Sequence, residues 1–467
     1  MSHLSRTGSF SLFTDIPVKK TAYSSEPLSF LSGAAHEDLA AVIEIDLLEN
    51  GSRVARELWQ GRQLSNLLRH AVNRSAFWRK RVPSELIKNP ALSPLPVLSR
   101  KDIIRQVEAE GSLLDQAGGH GSGTYGSSGS TGTPVTVHVG GFNGRQNAIR
   151  SLAQYFIAGR ALNVPRTFIK PASAELMIDP NEKIRVERNP TWLGRFSSLF
   201  EDAPHKIIEF ARDPQLLLDE LKRDKVGYLA CPASYMRLVL EAGGSEAVAR
   251  LGISAWLHHS DTLEPEFASQ IRAIGIPVNS SYSCSEAGSI GVECDNAVGH
   301  YHVTHSNVIV EVDQTESVQL DGLELGRILI THLHSYATPL IRYDVGDLGI
   351  LHGSCPCGHD GPTLSHLRGR GKFFLRHPEG HLLAFNVFSA RLLEMMEFKE
   401  FWIHQPNLET IVVELGGPEK ISREDEDRLR LFISRSSDPV FKIEVRVAPQ
   451  LDWSRNPKRL PFTSAVA

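Results

Sequence analysis

The sequence predicts an α/β protein with a large N-terminal domain of mixed and parallel sheets that includes a β portion, followed by a small α+β C-terminal domain. Three observations lead there. Apolar strand-like runs alternate with helical stretches between Asn143 and His258, the pattern of parallel strands joined by crossover helices. From Val303 the apolar period changes to two, in Val308–Val312 and Arg327–His332 around an Asp321-Gly322 turn, as in antiparallel sheet. A glycine-rich run, Arg368-Gly-Arg-Gly-Lys372, then sets off about 95 residues, enough for a small domain. The expected domains are therefore 1–370 and 371–467.

The elements follow in order. Residues 1–35 are rich in Ser, Thr and Pro and are expected to be loosely ordered. Helical spacing begins near His36 with Leu39, Val42, Ile43, Ile45 and Leu48. It continues through Val54, Leu58, Leu64, Leu67 and Leu68 to Phe77-Trp78. In Leu95-Pro-Val-Leu-Ser-Arg-Lys-Asp102 the proline fixes a turn and Ser99 can cap a helix starting at Arg100. Asn143–Ala161, Pro214–Asp224 and Ala233–Ala242 read as helices, and Val226–Cys231 and Ile253–His258 as buried strands. In the C-terminal part, Thr410–Leu415 and Lys442–Val447 alternate as strands around an amphipathic helix, Ser422–Ser434.

Composition narrows the function classes. Of 467 residues, 41% are apolar and 22% charged, the balance of a soluble globular protein. A formal net charge of −4 without a Lys/Arg run argues against a nucleic-acid or anionic-membrane partner. Ser9–Val18 makes a poor signal-peptide core and no stretch reaches transmembrane length, so a cytoplasmic location is expected. Five cysteines, an odd number, do not make a disulfide framework. Oligomeric state stays open, a dimer among the options.

Tyr125–Pro134 reads Y-G-S-S-G-S-T-G-T-P. Glycines and hydroxyls at this density can turn successive N–H groups toward a polyanion, as a phosphate loop does. The same composition suits a flexible linker, but the β-branched run Val135–Val139 follows at once, so the loop enters a fold. It is not a Walker A loop, because Gly132 is followed by Thr133 and Pro134. Further on, Asn279–Gly288 places Tyr282 and Glu286 on one loop, and Thr338–Leu348 contains Gly346-Asp347, whose carboxylate could accept from both hydroxyls of a ribose. Arg370 lies in the glycine-rich run and Lys458 near the C-terminus.

The order of Ser/Thr/Gly loop, Tyr-x-x-Ser-Glu, Arg-Tyr-x-x-Gly-Asp, Gly-Arg and late Lys resembles the adenylate-forming acid ligases, the superfamily of acyl-CoA synthetases and luciferase. Leu95–Ile103 and Cys355-Pro-Cys-Gly358 resemble its phenylacetate–CoA ligase branch, and the resemblance spans roughly residues 60–460. It implies an ATP- and Mg²⁺-dependent ligase. A carboxylate attacks the α-phosphate of ATP to give an acyl-adenylate, and the acyl group then passes to coenzyme A. The alternative acceptor is an amino acid or other amine, as in ligases of the coronafacate type.

By the same resemblance, Ser127, Ser128, Gly129, Ser130, Thr131 and Gly132 would grip the β- and γ-phosphates. Tyr282 would flank the adenine with Ser285 beside it, Glu286 would bind Mg²⁺, and Asp347 and Arg370 would complete the nucleotide site. Lys458 would reach the α-phosphate from a mobile C-terminal lid turning about Lys372. Departures keep a non-catalytic nucleotide-binding relative among the alternatives: Thr133 stands where a lysine is common, His259-Ser-Asp261 replaces Gly-Glu, and Pro457 precedes Lys458.

Cys294, His300, His302, Cys355 and Cys357 offer the ligands of a structural zinc site, with small core and turn residues as the competing reading. Some members of the branch resemble this, and the strand alignment favours His302 over His300. Cys231 and Cys284 read as packing residues. An acyl pocket is expected from Asn143–Ala161, Ala230–Tyr235 and Leu257–Asp261, with Tyr155, Phe156, Ala230 and Leu257 apolar and His258 and Asp261 polar; a cyclic or aromatic acid of modest size suits it.

Overall fold

The structure, a computed structural model, describes residues 33–114, 121–126, 136–173, 176, 183–197, 199–201, 203–210, 214–261, 263, 265–320, 323–368, 374–380, 382–385, 392, 395–418, 420–452 and 462–466. The chain begins with two helices, α1 (Gly33–Asn50) and α2 (Arg53–Arg74). Ser52 caps α2, its hydroxyl accepting from the Ala55 N–H at 3.3 Å. Leu64, Leu67, Leu68 and Ala71, spaced as one helical face, are buried in the core. Val54 and Leu58, expected on that face, are instead 66% and 61% exposed. Arg56 and Gln60 take the inward positions of those turns. Helix α3 (Arg100–Glu110) starts at Ser99 as expected, with a complete capping box between Ser99 and Asp102.

A short hairpin, β1 (Gly121–Gly126) and β2 (Thr136–Gly140), leads into helix α4 (Gly141–Ile157). The main sheet then unites twelve of the described strands. One half is the expected parallel portion: β3 (Arg166–Pro171), β5 (His205–Phe210), β6 (Gly227–Cys231), β7 (Ile253–His258) and β8 (Val278–Cys284) run parallel, with β4 (Ile184–Asn189) antiparallel at the edge. Helices α5 (Pro214–Arg223), α6 (Ala233–Ala249) and α7 (Pro265–Ala273) bury one face through Leu217, Leu221, Met236 and Ile271. Helix α4 covers the other face with Ile149, Leu152 and Tyr155.

The other half is antiparallel: β9 (Gly288–Cys294), β10 (Ala297–Val303), β11 (Val308–Leu320), β12 (Leu323–His332), β13 (Tyr343–His352) and β14 (Thr363–Arg368). The change of direction comes at β9, earlier than the period-two signal at Val303, because β9 and β10 carry half-buried residues on both faces. A hairpin of β15 (Phe374–Arg376) and β16 (Leu382–Ala384) precedes a separate four-stranded sheet, β19 (Lys442–Ala448), β18 (Thr410–Gly416), β17 (Glu400–Asn407) and β20 (Phe462–Ser464), in that order. Helix α8 (Arg423–Ser436) packs Leu429, Phe432 and Ile433 into the core of this sheet.

Gly227 opens β6 with φ 66°, and a Cβ there would lie 1.9 Å from the Pro165 carbonyl oxygen, which accepts from the Tyr228 N–H at 2.8 Å. Gly227→Ala should therefore strain both backbones and destabilise the fold by roughly 2–4 kcal/mol in urea denaturation.

Candidate active site

The loops leaving the carboxyl ends of β6, β7 and β8 share one rim of the sheet, where open parallel sheets bind ligands. From β8 come Tyr282 and Glu286. The expected single loop over Asn279–Gly288 is mostly strand: β8 continues through Cys284, and a turn at Ser285–Ala287 joins it to β9. Asp347 likewise lies inside β13, one residue after Gly346, whose φ of 92° admits the local twist.

Two of the motifs meet directly. The Tyr282 hydroxyl donates to Asp347 Oδ2 at 2.8 Å, and burial followed by the Asp347 charge holds that phenol well above its ordinary pKa. It therefore stays a donor at neutral pH. Glu286, 7% exposed, accepts from the Tyr343 hydroxyl at 2.9 Å, and Arg100 Nη2 lies 4.0 Å from the same oxygen. Arg100 arrives through the Leu95–Asp102 segment, which docks on β13. Leu98 N–H donates to the Arg342 carbonyl at 2.9 Å, Asp344 N–H donates to the Leu98 carbonyl at 3.0 Å, and the Arg342 guanidinium bonds Leu95 O and Glu311. The capping box thus positions a cation beside the carboxylate. Thr338 ties the other end of this motif to the strand after the glycine-rich loop, bonding both His138 N–H and C=O at 2.9 and 3.2 Å.

Beneath Glu286 lies a turn, Thr304-His305-Ser306-Asn307, whose four polar residues are each 3% exposed or less. Its backbone is satisfied by side chains from three helices. Glu49 of α1 accepts from the N–H groups of His305 and Ser306 at 3.1 and 2.9 Å; Gln60 of α2 donates to the His305 and Val308 carbonyls; Arg150 of α4 donates to the Ser306 carbonyl. Arg150 also donates to His334 Nδ1 at 3.1 Å, and burial pushes its guanidinium down to about 10. The Asn307 amide donates to the carbonyls of Ala287 and Ser289 at 2.8 and 2.7 Å, gripping the turn that carries Glu286.

The loop after β7 corrects the expected acyl lining. His258 and Asp261, expected to be polar pocket residues, are engaged elsewhere: His258 Nδ1 and Nε2 lie 2.8 Å from Ser280 Oγ and Asp261 Oδ1, and Asp261 accepts from the first two N–H groups of α6. Strand alternation places His259, not His258, on the α4 side, where it stacks on Phe168 with centroids 5.4 Å apart. Cys231 is fully buried, and burial raises its thiol pKa.

On the antiparallel half, the ligand atoms of Cys294, His302, Cys355 and Cys357 lie within 4.8 Å of one another, with Cys357 Sγ 3.4 Å from His302 Nε2. A tetrahedral zinc with Zn–S of about 2.3 Å needs ligand atoms about 3.5–4 Å apart, so the three sulfurs and one nitrogen fit a structural Cys₃His site. His302 joins the cluster, as the strand alignment favours; the His300 ring lies 5.7 Å from that of His352 on β13, across the intervening β14. Ser127, Ser128, Gly129, Ser130, Thr131, Gly132, Arg370, Lys372 and Lys458 lie outside the described residues. Arg100, Asn307 and Arg150 were missed by motif reading. Only Ser99–Asp102 carried a signal, the capping box that aims Arg100.

This fold, a mixed sheet of parallel and antiparallel halves followed by a small separate sheet, is shared with a solved acyl-CoA ligase. The chain is similar to 2-hydroxyisobutyryl-CoA ligase in complex with 2-hydroxyisobutyryl-AMP and coenzyme A in the thioesterification state, at 15% identity and TM-score 0.60 over 90% of this chain and 92% of that one. The same ligase in the postadenylation state with its acyl-AMP gives 16% identity and TM-score 0.54 over 86% and 88%. No protein-family model matches the chain, and no curated protein matches it in sequence.

Replacing Asn307 by alanine would remove the amide that bonds the Ala287 and Ser289 carbonyls beneath Glu286. The expected loss is about 2–4 kcal/mol in urea denaturation, with little change for an exposed control such as Leu58→Ala.

Proposed function

We propose that the protein is an ATP-dependent carboxylic acid ligase that forms an acyl-adenylate and passes the acyl group to coenzyme A. The observation carrying this reading is the convergence of Tyr282–Asp347 and Glu286–Tyr343–Arg100 on one rim of the sheet, within a fold shared with an acyl-CoA ligase. Asp347 would accept from the ribose hydroxyls while Tyr282 holds its second oxygen and flanks the adenine. Glu286 would hold Mg²⁺. One carboxylate suits a hard ion that keeps most of its water and phosphate ligands, and the bound ion would neutralise the charge growing on the departing pyrophosphate.

Arg100 supports the same step from the protein side. Thr133 stands where a lysine is common, and Arg100 supplies a buried guanidinium at the Glu286 end of the site. Lys458, carried by the domain expected from residue 371 onward, would reach the α-phosphate and the attacking carboxylate; as an ammonium it brings two anions together. Ser127–Gly132 would grip the outer phosphates, with Ser285 and Arg370 completing the nucleotide site and Lys372 the hinge.

Zinc would sit in the Cys₃His cluster as a structural ion, clamping β10 to the Cys355–Cys357 turn. Cys355→Ser should remove one equivalent of zinc by atomic absorption and lower Tm by several degrees; zinc content and Tm equal to wild type would exclude the site.

The activity is tested by acid-dependent ATP–pyrophosphate exchange. Glu286→Gln should reduce exchange about 10²–10³-fold without loss of fold, and Lys458→Ala should reduce it comparably. Unchanged exchange in both variants would exclude this assignment. Adding coenzyme A, hydroxylamine or amino acids to the preformed adenylate then reads the acceptor directly.

A further inference from the structure

Strand pairing defines a polar wall on the sheet face beneath α4. Arg166 and Phe168 alternate onto the same face of β3; Arg166 lies opposite His205 of β5 and Tyr228 of β6, and Phe168 stacks on His259. Tyr155 of α4 closes over them, its ring 5.4 Å from Tyr228 and 4.6 Å from Trp192.

Four buried polar atoms here have no hydrogen-bond partner among the described residues: Tyr155 Oη, Arg166 Nε, His205 Nε2 and His259 Nε2. Such atoms are costly when left unpaired, and four on one wall are a concentration that asks for a ligand. The wall is also electropositive. Arg166 lies over Trp192 and Arg160 over Tyr155, at 5.9 and 5.6 Å, and among the described residues neither has a carboxylate within ion-pair distance. Burial, then the neighbouring His258, lowers His259 to about 4, with Asp261 opposing and the Arg166 charge adding to the shift, and burial followed by Arg166 lowers His205 against the opposing charge of Glu187. Both rings are therefore neutral near pH 7, each able to offer one N–H or one acceptor.

Resting on the ligase reading above, we propose that the acid activated by this protein carries a second carboxylate, received by Arg166 with His205, His259 and Tyr155. The reacting carboxylate faces the nucleotide rim. Phe168 and Leu257 contact the apolar spacer, and the far carboxylate meets the guanidinium, whose planar fork matches it. A simple aromatic or alkanoic acid would leave this wall unpaired, and sites built to bond a polar group reject analogues lacking it by large factors.

The test compares matched acids in pyrophosphate exchange: hexanoate with adipate, and benzoate with terephthalate. Wild type should prefer the dicarboxylate of each pair at least tenfold in kcat/KM. Arg166→Gln should erase that preference by raising KM for the dicarboxylate while leaving the monocarboxylate within about threefold. Preference for the monocarboxylates, or equal loss on both acids in Arg166→Gln, would overturn the assignment. The wild-type ranking decides the matter even if the variant folds poorly. Exchange with monocarboxylates alone would overturn only the dicarboxylate proposal; no exchange with any acid would overturn the ligase reading with it.

Discussion

The structure depends on satisfying one buried turn. Thr304–Asn307 passes through the interior with four polar residues and their backbone groups, each residue 3% exposed or less. Glu49, Gln60 and Arg150 supply the missing partners, so the N-terminal helices and α4 are bound to the sheet by polar contacts as well as by the apolar cluster around Leu64, Leu67 and Leu68. Asn307 carries that constraint one step further, to the Ala287 and Ser289 carbonyls just after Glu286. Buried backbone groups need partners, and supplying them gives distant helices a part in holding a single carboxylate.

The same logic explains how the crevice acquires its chemistry. Parallel strands end at a common rim, and the antiparallel half brings β13 back across it, so Asp347 from late in the chain meets Tyr282 from the middle. Arg100 enters from a third direction on a helix whose start is set by Ser99 and Asp102. Away from the rim, the Cys294–His302–Cys355–Cys357 cluster brings the end of β9 and the body of β10 together with the loop before β14, beside the stretch where the β9–β10 register shifts.

Much of the architecture was legible in order. The strands Ile253–His258, Thr410–Gly416 and Lys442–Ala448 sit within a residue or so of where alternation placed them, Ser99 caps the helix it announced, and Ser422, read as the first residue of its helix, is that helix's cap. Local rules decide these elements, since period and capping act over a few residues. The errors have physical causes as well. Val54 and Leu58 fit the helical period but lie at the open end of α2, where Arg56 turns inward to bond the Gly51 carbonyl and Gln60 to bond the His305 and Val308 carbonyls far along the chain. The strand continues through Tyr282 because pairing with β9 outweighs a run of serines with weak strand preference.

By itself, the sequence determined the α/β class, the parallel-to-antiparallel change and the residue types offered by the Cys/His cluster. Those follow from period, spacing and side-chain chemistry, which are local properties. Only the tertiary structure decided which groups meet: Tyr282 with Asp347, Arg100 with Glu286, Asn307 beneath both, and Arg166 with His205 and His259 on the wall under α4. Each pair is separated by tens or hundreds of residues, and strand order and side-chain face, neither of them written in any short stretch, determine whether such residues touch.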